Sequence, residues 1–269
     1  MDVAIPARPG RVAGVSMAGF RGRATTPVDL RVVPYPALTV FIDLGDGHFV
    51  DDADDARVPG SGVVGLDPGS VRAYGREIDL LQVRLSPPVA HAVLGGSPGS
   101  AGTVVALEEF WGRDVANIRE HLHAAGSWDE RFAIADTALG RRRAAGRPVD
   151  PEVAFAWRRI VHSGGQIRVE HLAAEIGWSR KRLWSRFRSQ IGITPKRSAQ
   201  LVRFDCAAHR LAGGHSAAAV SAAGGYADQS HFHRDALTFA GLTPTALAAA
   251  PWLAVDPLAW SSPQYATGT

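Results

Sequence analysis

Cysteine is almost absent from this sequence, and its scarcity excludes two kinds of cross-link. The single cysteine among the 269 residues is Cys206, so an intrachain disulfide and a cysteine-based zinc cluster are both excluded. A chain without disulfides is typical of a reducing compartment. We therefore expect a cytoplasmic protein.

Long hydrophobic runs and secretory features are also missing. No stretch of eighteen apolar residues occurs, so neither a membrane-spanning helix nor a membrane partner is expected. The first ten residues lack a basic segment followed by an apolar one and do not predict a signal peptide. With 46% hydrophobic and 20% charged residues, the composition is that of a globular protein, and the length is that of about two domains.

Sequence motifs of the common enzyme classes are absent too. The chain has no P-loop, no nucleophile elbow and no dinucleotide-binding glycine pattern. In the N-terminal part, His48 and His91 are isolated, while His121 and His123 lie two apart on a predicted helix and do not face each other. We expect no catalytic residues, no metal and no cofactor.

Basic residues are concentrated in the second half of the chain. Residues 1–150 contain 16 Lys and Arg against 19 Asp and Glu, whereas residues 151–269 contain 13 against 7. This asymmetry favours contact between the C-terminal half and nucleic acid. A basic face that is simply solvated is the alternative explanation.

The N-terminal half has the pattern of an antiparallel β domain. Glycine, proline and aspartate interrupt residues 11–86 every few positions, and the short apolar runs between them predict a sandwich or barrel. The runs are 37–44, 62–66 and 78–85. Asp46-Gly47 predicts a hairpin turn before residues 48–50, and the acidic residues 51–55 predict a solvated loop.

Helical spacing replaces this pattern from Pro87 onwards. Helices are predicted over 87–94, 114–125 and 128–144, with a loop over 97–102. The arginine-rich residues 141–148 are the predicted linker. We therefore assign residues 1–146 to an N-terminal domain, 147–250 to a second domain and 251–269 to a C-terminal tail. The expected fold class is α+β, with a β-rich, cupin-like N-terminal domain and an all-α C-terminal domain.

The C-terminal half contains a helix, a glycine turn and a second helix in close succession. The first helix ends at Gly177, where glycine permits a turn that a β-carbon would penalise. Ser179 is then the predicted N-cap of a helix over residues 180–191. Leu183 and Phe187 lie four positions apart on its predicted buried face. This arrangement predicts a helix-turn-helix unit.

The same arrangement recurs 48 positions later. Gly225 corresponds to the turn glycine, and Asp228 is the predicted cap of a helix over residues 229–240. Both units end in Gly-x-Thr-Pro, at Thr194-Pro195 and Thr243-Pro244, and each Thr-Pro predicts the start of another helix. A period of this length with matching turns and caps indicates two related units.

One helix is predicted to connect the two units. Residues 195–211 would form a rod of roughly 24 Å, which makes a separation near one DNA turn, about 34 Å, plausible for the two second helices. Upstream, Asp150-Pro151 predicts another helix start, with the aspartate as the N-cap acceptor. Two reading helices on one chain would then enter successive major grooves on one side of a duplex.

Residues about 150–250 resemble the double helix-turn-helix domain of the AraC/XylS family of bacterial transcription regulators. The segments that carry the resemblance are Gly225-Tyr226-Ala-Asp228-Gln229-Ser230-His231-Phe232-His-Arg234, Gly241-Leu-Thr243-Pro244, and the upstream residues Leu172, Ala173, Gly177, Trp178, Ser179, Leu183, Phe187, Gly192, Thr194 and Pro195. The layout of a β-rich sensing or dimerising domain before this module is similar to that family as well.

The resemblance implies roles for named residues in DNA binding. The implied base-reading residues are Lys181, Trp184, Ser185, Ser230, His233 and Arg234. The implied phosphate contacts are Arg180, Arg182, Arg186, Lys196 and Arg197. Each has a structural alternative: Trp184 could pack against a neighbouring helix, Arg234 could bind phosphate, and any of the other cations could be solvated. His231 is predicted to face inward as a packing or capping residue.

The second unit departs from the family pattern in its packing residues. Ala236 stands where an aromatic residue is usual, and either Phe239 fills that space one turn later or the unit is loosely packed. Gly224, late in a helix, costs roughly 1 kcal/mol relative to alanine, and Ser221 replaces a small apolar residue. These departures affect the expected rigidity of the unit and leave the family resemblance intact.

The sequence thus leads to two main hypotheses. The first is a sequence-specific transcription factor, an activator or a repressor, whose double-stranded DNA binding is gated by a small-molecule effector or by dimerisation in the N-terminal domain. The second is a DNA-binding regulator without an effector, controlled by a protein partner or by abundance. A third, from another class, is a β-domain enzyme fused to a DNA-binding module, which a metal with three protein ligands would favour. The family resemblance further implies RNA polymerase as a partner of an activator, a possible homodimer, and a location on the bacterial nucleoid.

Overall fold

The computed structural model describes residues 2–32, 34–51, 56–67, 71–96 and 104–250, together with Leu253, Asp256 and Trp260. An antiparallel sheet comes first, and helices follow it, as the α+β fold class predicts. Most of the acidic segment 51–55, the loop predicted over 97–102 and most of the tail after residue 250 lie outside the described residues.

The sheet contains eight strands among the described residues, all paired antiparallel. In chain order they are β1 (Asp2–Ala4), β2 (Val15–Arg31), β3 (Leu38–Asp43), β4 (His48–Asp51), β5 (Ala56–Pro59), β6 (Gly62–Val64), β7 (Val71–Leu85) and β8 (Val104–Ala106). Strands over 37–44, 62–66 and 78–85 were predicted, and β3, β6 and the second half of β7 match them.

The long strand β7 organises the sheet. It pairs with β2 along most of its length, and on its other edge with β3 at one end and β4 at the other. Its residues Leu81, Val83 and Leu85 are buried, and their spacing of two places them on the core face of the sheet. This alternation is what directs one face of the sheet towards the helices.

The hairpin predicted at Asp46-Gly47 is wrong. β3 and β4 do not pair with each other; both pair with β7, one after the other along its length. The turn between them docks onto β7, because the Asp46 carboxylate accepts hydrogen bonds from the backbone N–H groups of Arg76 and Glu77 at 2.9 and 2.8 Å. A turn signal identifies a change of direction, whereas the pairing partner depends on contacts that are distant in sequence.

Eleven helices occur within the described residues. They are α1 (Pro87–Leu94), α2 (Glu108–Trp111), α3 (Asp114–Ala124), α4 (Trp128–Ala145), α5 (Pro151–His162), α6 (Val169–Ile176), α7 (Arg180–Ile191), α8 (Pro195–Ala212), α9 (Ala217–Ala223), α10 (Gln229–Ala240) and α11 (Pro244–Ala248). None of them is long and apolar enough to cross a membrane.

The first four helices close the N-terminal domain over the sheet. The buried side chains of α1 and α4, including Val93, Phe132 and Leu139, share one core with the strands. Arg131 of α4 is also buried, and its guanidinium donates two hydrogen bonds to Asp79 of β7 at 2.5 and 3.2 Å. A buried cation with a paired carboxylate fixes α4 against the sheet.

The helix α8 is the centre of the C-terminal domain. It contacts α5, α7, α9, α10 and α11, and its residues Leu201, Val202 and Phe204 are at most 1% exposed. Its 18 residues span roughly 27 Å. The helix predicted to separate the two helix-turn-helix units is therefore α8, and it also forms the buried centre on which the other helices pack.

Side-chain caps begin the helices as predicted at Ser179, Thr194, Asp228 and Thr243, where each side chain accepts a hydrogen bond from the backbone N–H three residues later. Asp150 precedes the first residue of α5, Pro151, as predicted, but its side chain does not cap the helix. Its carboxylate does not accept such a bond within the described residues and instead accepts two from the Arg186 guanidinium.

Candidate nucleic-acid interface

The helix α7 presents a polar face because three of its side chains anchor the opposite face. Leu183, Phe187 and Ile191 are buried, with at most 2% exposure. Gly177, with φ of +72°, makes the tight turn that brings α6 and α7 together. The predicted base-reading residues of this helix, Lys181, Trp184 and Ser185, are all exposed.

Trp184 is the exposed large hydrophobic residue of α7. Its side chain is 47% exposed, and the Arg188 guanidinium lies 5.2 Å from its ring centroid. An aromatic ring left in water at the outer face of a second helix costs hydration free energy, which DNA contact would recover. The structure thus does not support the alternative that Trp184 packs against a neighbouring helix.

The helix α10 is built on the same plan. Phe232, Ala236 and Phe239 are buried, while the predicted base-reading residues Ser230, His233 and Arg234 are exposed. His231 is half-buried, as predicted, with its ring edge-on to Tyr226 at a centroid distance of 5.2 Å.

Sequence reasoning missed Leu237 on the same face. Its side chain is 45% exposed, and it follows Ser230 by seven positions and Arg234 by three. Positions at this spacing lie along one stripe of a helix. The helical spacing alone could therefore have placed Leu237 on the same face as Ser230 and Arg234. An apolar side chain there suits contact with a thymine methyl group.

The departure at Ala236 is compensated by the neighbouring aromatic residues. Phe239 is 3% exposed and stacks on Phe204 of α8 at a centroid distance of 5.0 Å. Tyr226 packs on Phe232 at 5.1 Å. The second unit is therefore anchored on α8. Of the two alternatives for Ala236, the structure shows that Phe239 fills the space and that the unit is not loosely packed.

The predicted phosphate contacts fall into two groups. Lys196 and Arg182 are exposed, and the Arg182 guanidinium lies 4.4 Å from the Trp178 ring centroid. Arg180, Arg186 and Arg197 each bind a carboxylate of the same chain. Of these pairs, Arg180 with Glu170 is exposed on both sides, with a nitrogen-to-oxygen distance of 3.2 Å, so water screens it and DNA can compete for the arginine.

The Arg186 pair joins α7 to the start of α5. The guanidinium donates to both oxygens of Asp150 at 2.8 and 2.9 Å, and the Asp150 backbone N–H donates to Gln190. Burial by itself would raise the pKa of Asp150, but the contacts with Gln190 and Arg186 hold it below the ordinary value. The carboxylate therefore stays charged and keeps Arg186 engaged at neutral pH.

The Arg197 pair joins α8 to the N-terminal domain. Its guanidinium donates to both oxygens of Asp67 at 3.0 and 2.8 Å, and each side chain is 25% exposed. The same guanidinium lies over the Phe239 ring at 3.9 Å from the centroid. The 130 positions between the two residues contain no local signal that could have predicted this contact.

Two exposed second helices, each preceded by a glycine turn and packed on one central helix, define a protein with a paired helix-turn-helix domain. Residues 172–250 match the family described as "Helix-turn-helix domain". This match covers the region that resembles the AraC/XylS family in sequence, and it supports a helix-turn-helix DNA-binding domain there.

Solved structures of ToxT from Vibrio cholerae share the two-domain fold. An apo single-substitution form from strain SCE256 has a TM-score of 0.50 at 11% identity, over 90% of this chain and 99% of ToxT. ToxT from strain O395 gives the same score and identity, over 88% and 97%. ToxT bound to (E)-4-(8-methylnaphthalen-1-yl)but-3-enoic acid also scores 0.50 at 11% identity, over 88% and 98%. At this identity the likeness is one of fold. No curated protein matches the sequence.

Proposed function

We propose that the chain is a sequence-specific transcription regulator that uses α7 and α10 to read successive major grooves of double-stranded DNA. The observation that carries the proposal is the exposure of all six predicted base-reading residues, on two helices whose other faces are buried. In this assignment Lys181, Trp184 and Ser185 read one groove, and Ser230, His233 and Arg234 read the next. Arg180, Arg182 and Lys196 contact phosphates. Arg186 and Arg197 do so only when their ion pairs with Asp150 and Asp67 are broken.

Loss of a base contact changes the sequence preference of binding, whereas loss of a phosphate contact changes the affinity for all sequences. Loss of a bidentate arginine contact to guanine costs roughly 1–3 kcal/mol at one position of the site. Loss of a phosphate contact weakens binding to all sequences and lowers the salt slope by about 0.9. The two kinds of variant therefore separate the two roles.

The test selects binding sites from random duplexes with the purified full chain and then measures affinity for the selected site across salt concentrations. Arg234→Ala is expected to relax the preference at one base position, and Lys196→Ala to weaken selected and random duplexes equally. Arg143→Ala, an exposed arginine of α4, is the matched control and should change neither. Equal affinity for selected and random duplexes would reject sequence-specific reading.

We infer that an event in the N-terminal domain gates this activity. Residues 1–146 would form the effector or dimerisation domain, 147–250 the DNA-binding domain and 251–269 the tail. The support is the fold shared with ToxT, which has been solved with a bound carboxylic acid. A regulator without an effector, controlled by a protein partner or by abundance, is the second candidate, and a ligand screen on the selected DNA site distinguishes the two.

Gating by dimerisation makes its own prediction. A homodimer would present four reading helices, so its affinity for a duplicated site should rise with chain concentration, and analytical ultracentrifugation should show a two-chain species. If the regulator is an activator, it contacts RNA polymerase, and transcription in vitro from the selected site tests this. Both roles place the chain in the cytoplasm on the nucleoid.

A further inference from the structure

A carboxylate near the end of the chain is buried between the two domains. Asp256 is 5% exposed, and Nη2 of Arg84 in β7 donates to its Oδ1 at 2.9 Å. The Tyr35 hydroxyl donates to its Oδ2. From the other domain, Nε2 of His209 in α8 lies 3.1 Å from the same oxygen. Asp256 thus contacts the N-terminal domain and the central helix of the C-terminal domain at the same time.

The Asp256 carboxylate stays charged in this position. Burial alone would raise its pKa, but the hydrogen bond with His209 and the contacts with Arg84 and Tyr35 hold the pKa below its ordinary value. The Arg84 side chain is itself only 11% exposed. Moving α8 away from the sheet would separate Asp256 from His209 or from Arg84 and leave a buried charge without its partner, which is unfavourable. The ion pair therefore resists separation of the two domains.

Trp260 attaches the same stretch of chain to the sheet. Its ring is 8% exposed and packs on Ala18 and Phe20 of β2. The ring centroid lies 4.1 Å from the guanidinium carbon of Arg84. The Trp260 backbone N–H donates to the Asp256 backbone oxygen at 2.8 Å. Asp256 and Trp260 are therefore one helical turn apart and share Arg84 as a contact.

Trp260 lies on the face of the sheet opposite to the main core. Leu80 of β7 packs against Trp260 and its neighbours, whereas Leu81 belongs to the main core. Successive residues of a strand point to opposite faces, and Phe20 of β2 is paired with Leu80 across the two strands. The contact between Trp260 and this face can therefore be lost without opening the main core under α1 and α4.

A second ion pair attaches α8 to the N-terminal domain near the start of the helix. There Arg197 pairs with Asp67. His209 follows Arg197 by twelve positions, which is roughly 18 Å along the helix. A rigid helix that is attached near both ends has one orientation, whereas the same helix attached near one end can swing. The contact with Asp256 therefore decides whether the far end of α8 is held.

We propose that Asp256 and Trp260 form a clasp that fixes the orientation of α8 against the N-terminal sheet, with Trp260 as the anchor on the sheet and Asp256 as the bridge to His209. The two domains are then joined twice, once by the linker before α5 and once by the clasp after α11. Because α7 and α10 pack on α8, the clasp also fixes where these two helices lie relative to the sheet. The proposal concerns the free chain and does not depend on DNA binding.

The test measures the distance between the domains in the full chain by double electron–electron resonance. Spin labels are attached at Glu120→Cys in α3 and Ala218→Cys in α9, which are both exposed positions, in a Cys206→Ser background. We expect one narrow distance distribution in this parent chain. Asp256→Asn keeps the shape of the side chain but removes its charge. It should broaden the distribution to at least about twice the parent width, because domains without a firm interface move relative to each other.

Two further variants test the anchor and the specificity of the effect. Trp260→Ala should fold, since the main core lies on the other face of the sheet, and it should broaden the same distribution. Combined with Asp256→Asn, it should give no more broadening than the broader single variant, because both changes release the same contact. Asp114→Asn is the matched control. Asp114 also pairs with an arginine stacked on a tryptophan, but within one domain, so no broadening is expected.

A label pair inside the C-terminal domain, Lys181→Cys with Ala218→Cys, distinguishes an open clasp from a loss of structure. Its distance distribution should be the same in every variant. An unchanged interdomain distribution in both Asp256→Asn and Trp260→Ala would overturn the proposal, and so would equal broadening of the two label pairs. If Asp256→Asn does not fold, Trp260→Ala alone decides. The measurement contains no DNA, so failure of the clasp is separate from any failure of sequence-specific reading.

Discussion

At the scale of single residues, His209 makes stability depend on pH. Burial alone would lower its pKa, but the hydrogen bond to Asp256 and the charge of Asp205 raise it to about 9. Arg84 of β7 and Tyr35, which precedes β3, face the same carboxylate. Because the folded pKa lies above the unfolded value near 6.5, the contribution is complete below about pH 6.5 and is lost as pH rises through about 9.

We therefore expect the melting temperature of the full chain to fall between pH 7 and 9.5 and this fall to flatten in His209→Gln. Since the His209 side chain is 40% exposed, solvent reduces the effect to roughly 1 kcal/mol, or about 2–4 °C. Thermal denaturation followed by circular dichroism across this range checks it. Equal slopes in both proteins would contradict the assignment.

Two neighbouring residues of α10 should respond oppositely to truncation. Phe239 is buried against Phe204, so Phe239→Ala should cost about 3–5 kcal/mol of unfolding free energy. Leu237 is 45% exposed, so Leu237→Ala should change stability by less than about 0.5 kcal/mol while weakening binding to the selected DNA site. Urea denaturation measures both variants. A large stability loss in Leu237→Ala would mean that this face is packed.

At the scale of elements, two adjacent glycines after α5 offer a matched comparison. Gly164 and Gly165 both have positive φ, of 59° and 74°. A β-carbon on Gly164 would meet nothing within 4 Å, whereas one on Gly165 would lie 2.1 Å from the backbone oxygen of Ala199 in α8. Only the second glycine is required for the close approach of α5 to α8.

Gly164→Ala should therefore cost only the backbone strain of roughly 1–2 kcal/mol. Gly165→Ala should add a further overpacking cost of about 1–3 kcal/mol, because backbone atoms must move. The difference in unfolding free energy between the two variants measures the helix contact itself. Equal losses would show that α5 and α8 separate without cost.

The elements that the sequence predicted well are those with local signals. The bounds of α7 and α10 follow from Ser179 and Asp228 as caps and from the glycines that end the helices. The strands β2 and β4 both pair with β7, which is distant from them in sequence, so no local signal predicts this pairing. The wrong hairpin at Asp46 has the same cause.

At the scale of the whole molecule, the sequence predicted which helix faces are exposed but not which carboxylates pair with the arginines. The exposure of Lys181 and Arg234 follows from helical spacing alone. The pairing of Arg197 with Asp67 does not, since it needs the relative placement of two domains. In the free chain, Asp67 of the N-terminal domain thus binds Arg197, for which a phosphate contact is predicted.

Asp67 and DNA phosphate should therefore compete for Arg197. Asp67→Ala leaves the guanidinium available, and we expect DNA affinity to rise by up to about fivefold, since a partly exposed ion pair contributes roughly 1 kcal/mol. The plot of log affinity against log salt should steepen by about 0.9, because one more phosphate is neutralised. Fluorescence anisotropy with the selected duplex measures both quantities.

Two controls decide whether this effect belongs to Arg197. Asp114→Ala removes an ion pair of the N-terminal domain that involves Arg142 rather than a predicted phosphate contact, and it should leave both the affinity and the salt slope unchanged. Asp67→Ala combined with Arg197→Ala should return the salt slope to the wild-type value, because no additional cation is then free. If Asp67→Ala tightened binding equally in the presence and absence of Arg197, the carboxylate would act through general repulsion of DNA, and the pair would not be the contact that restrains the DNA-binding domain.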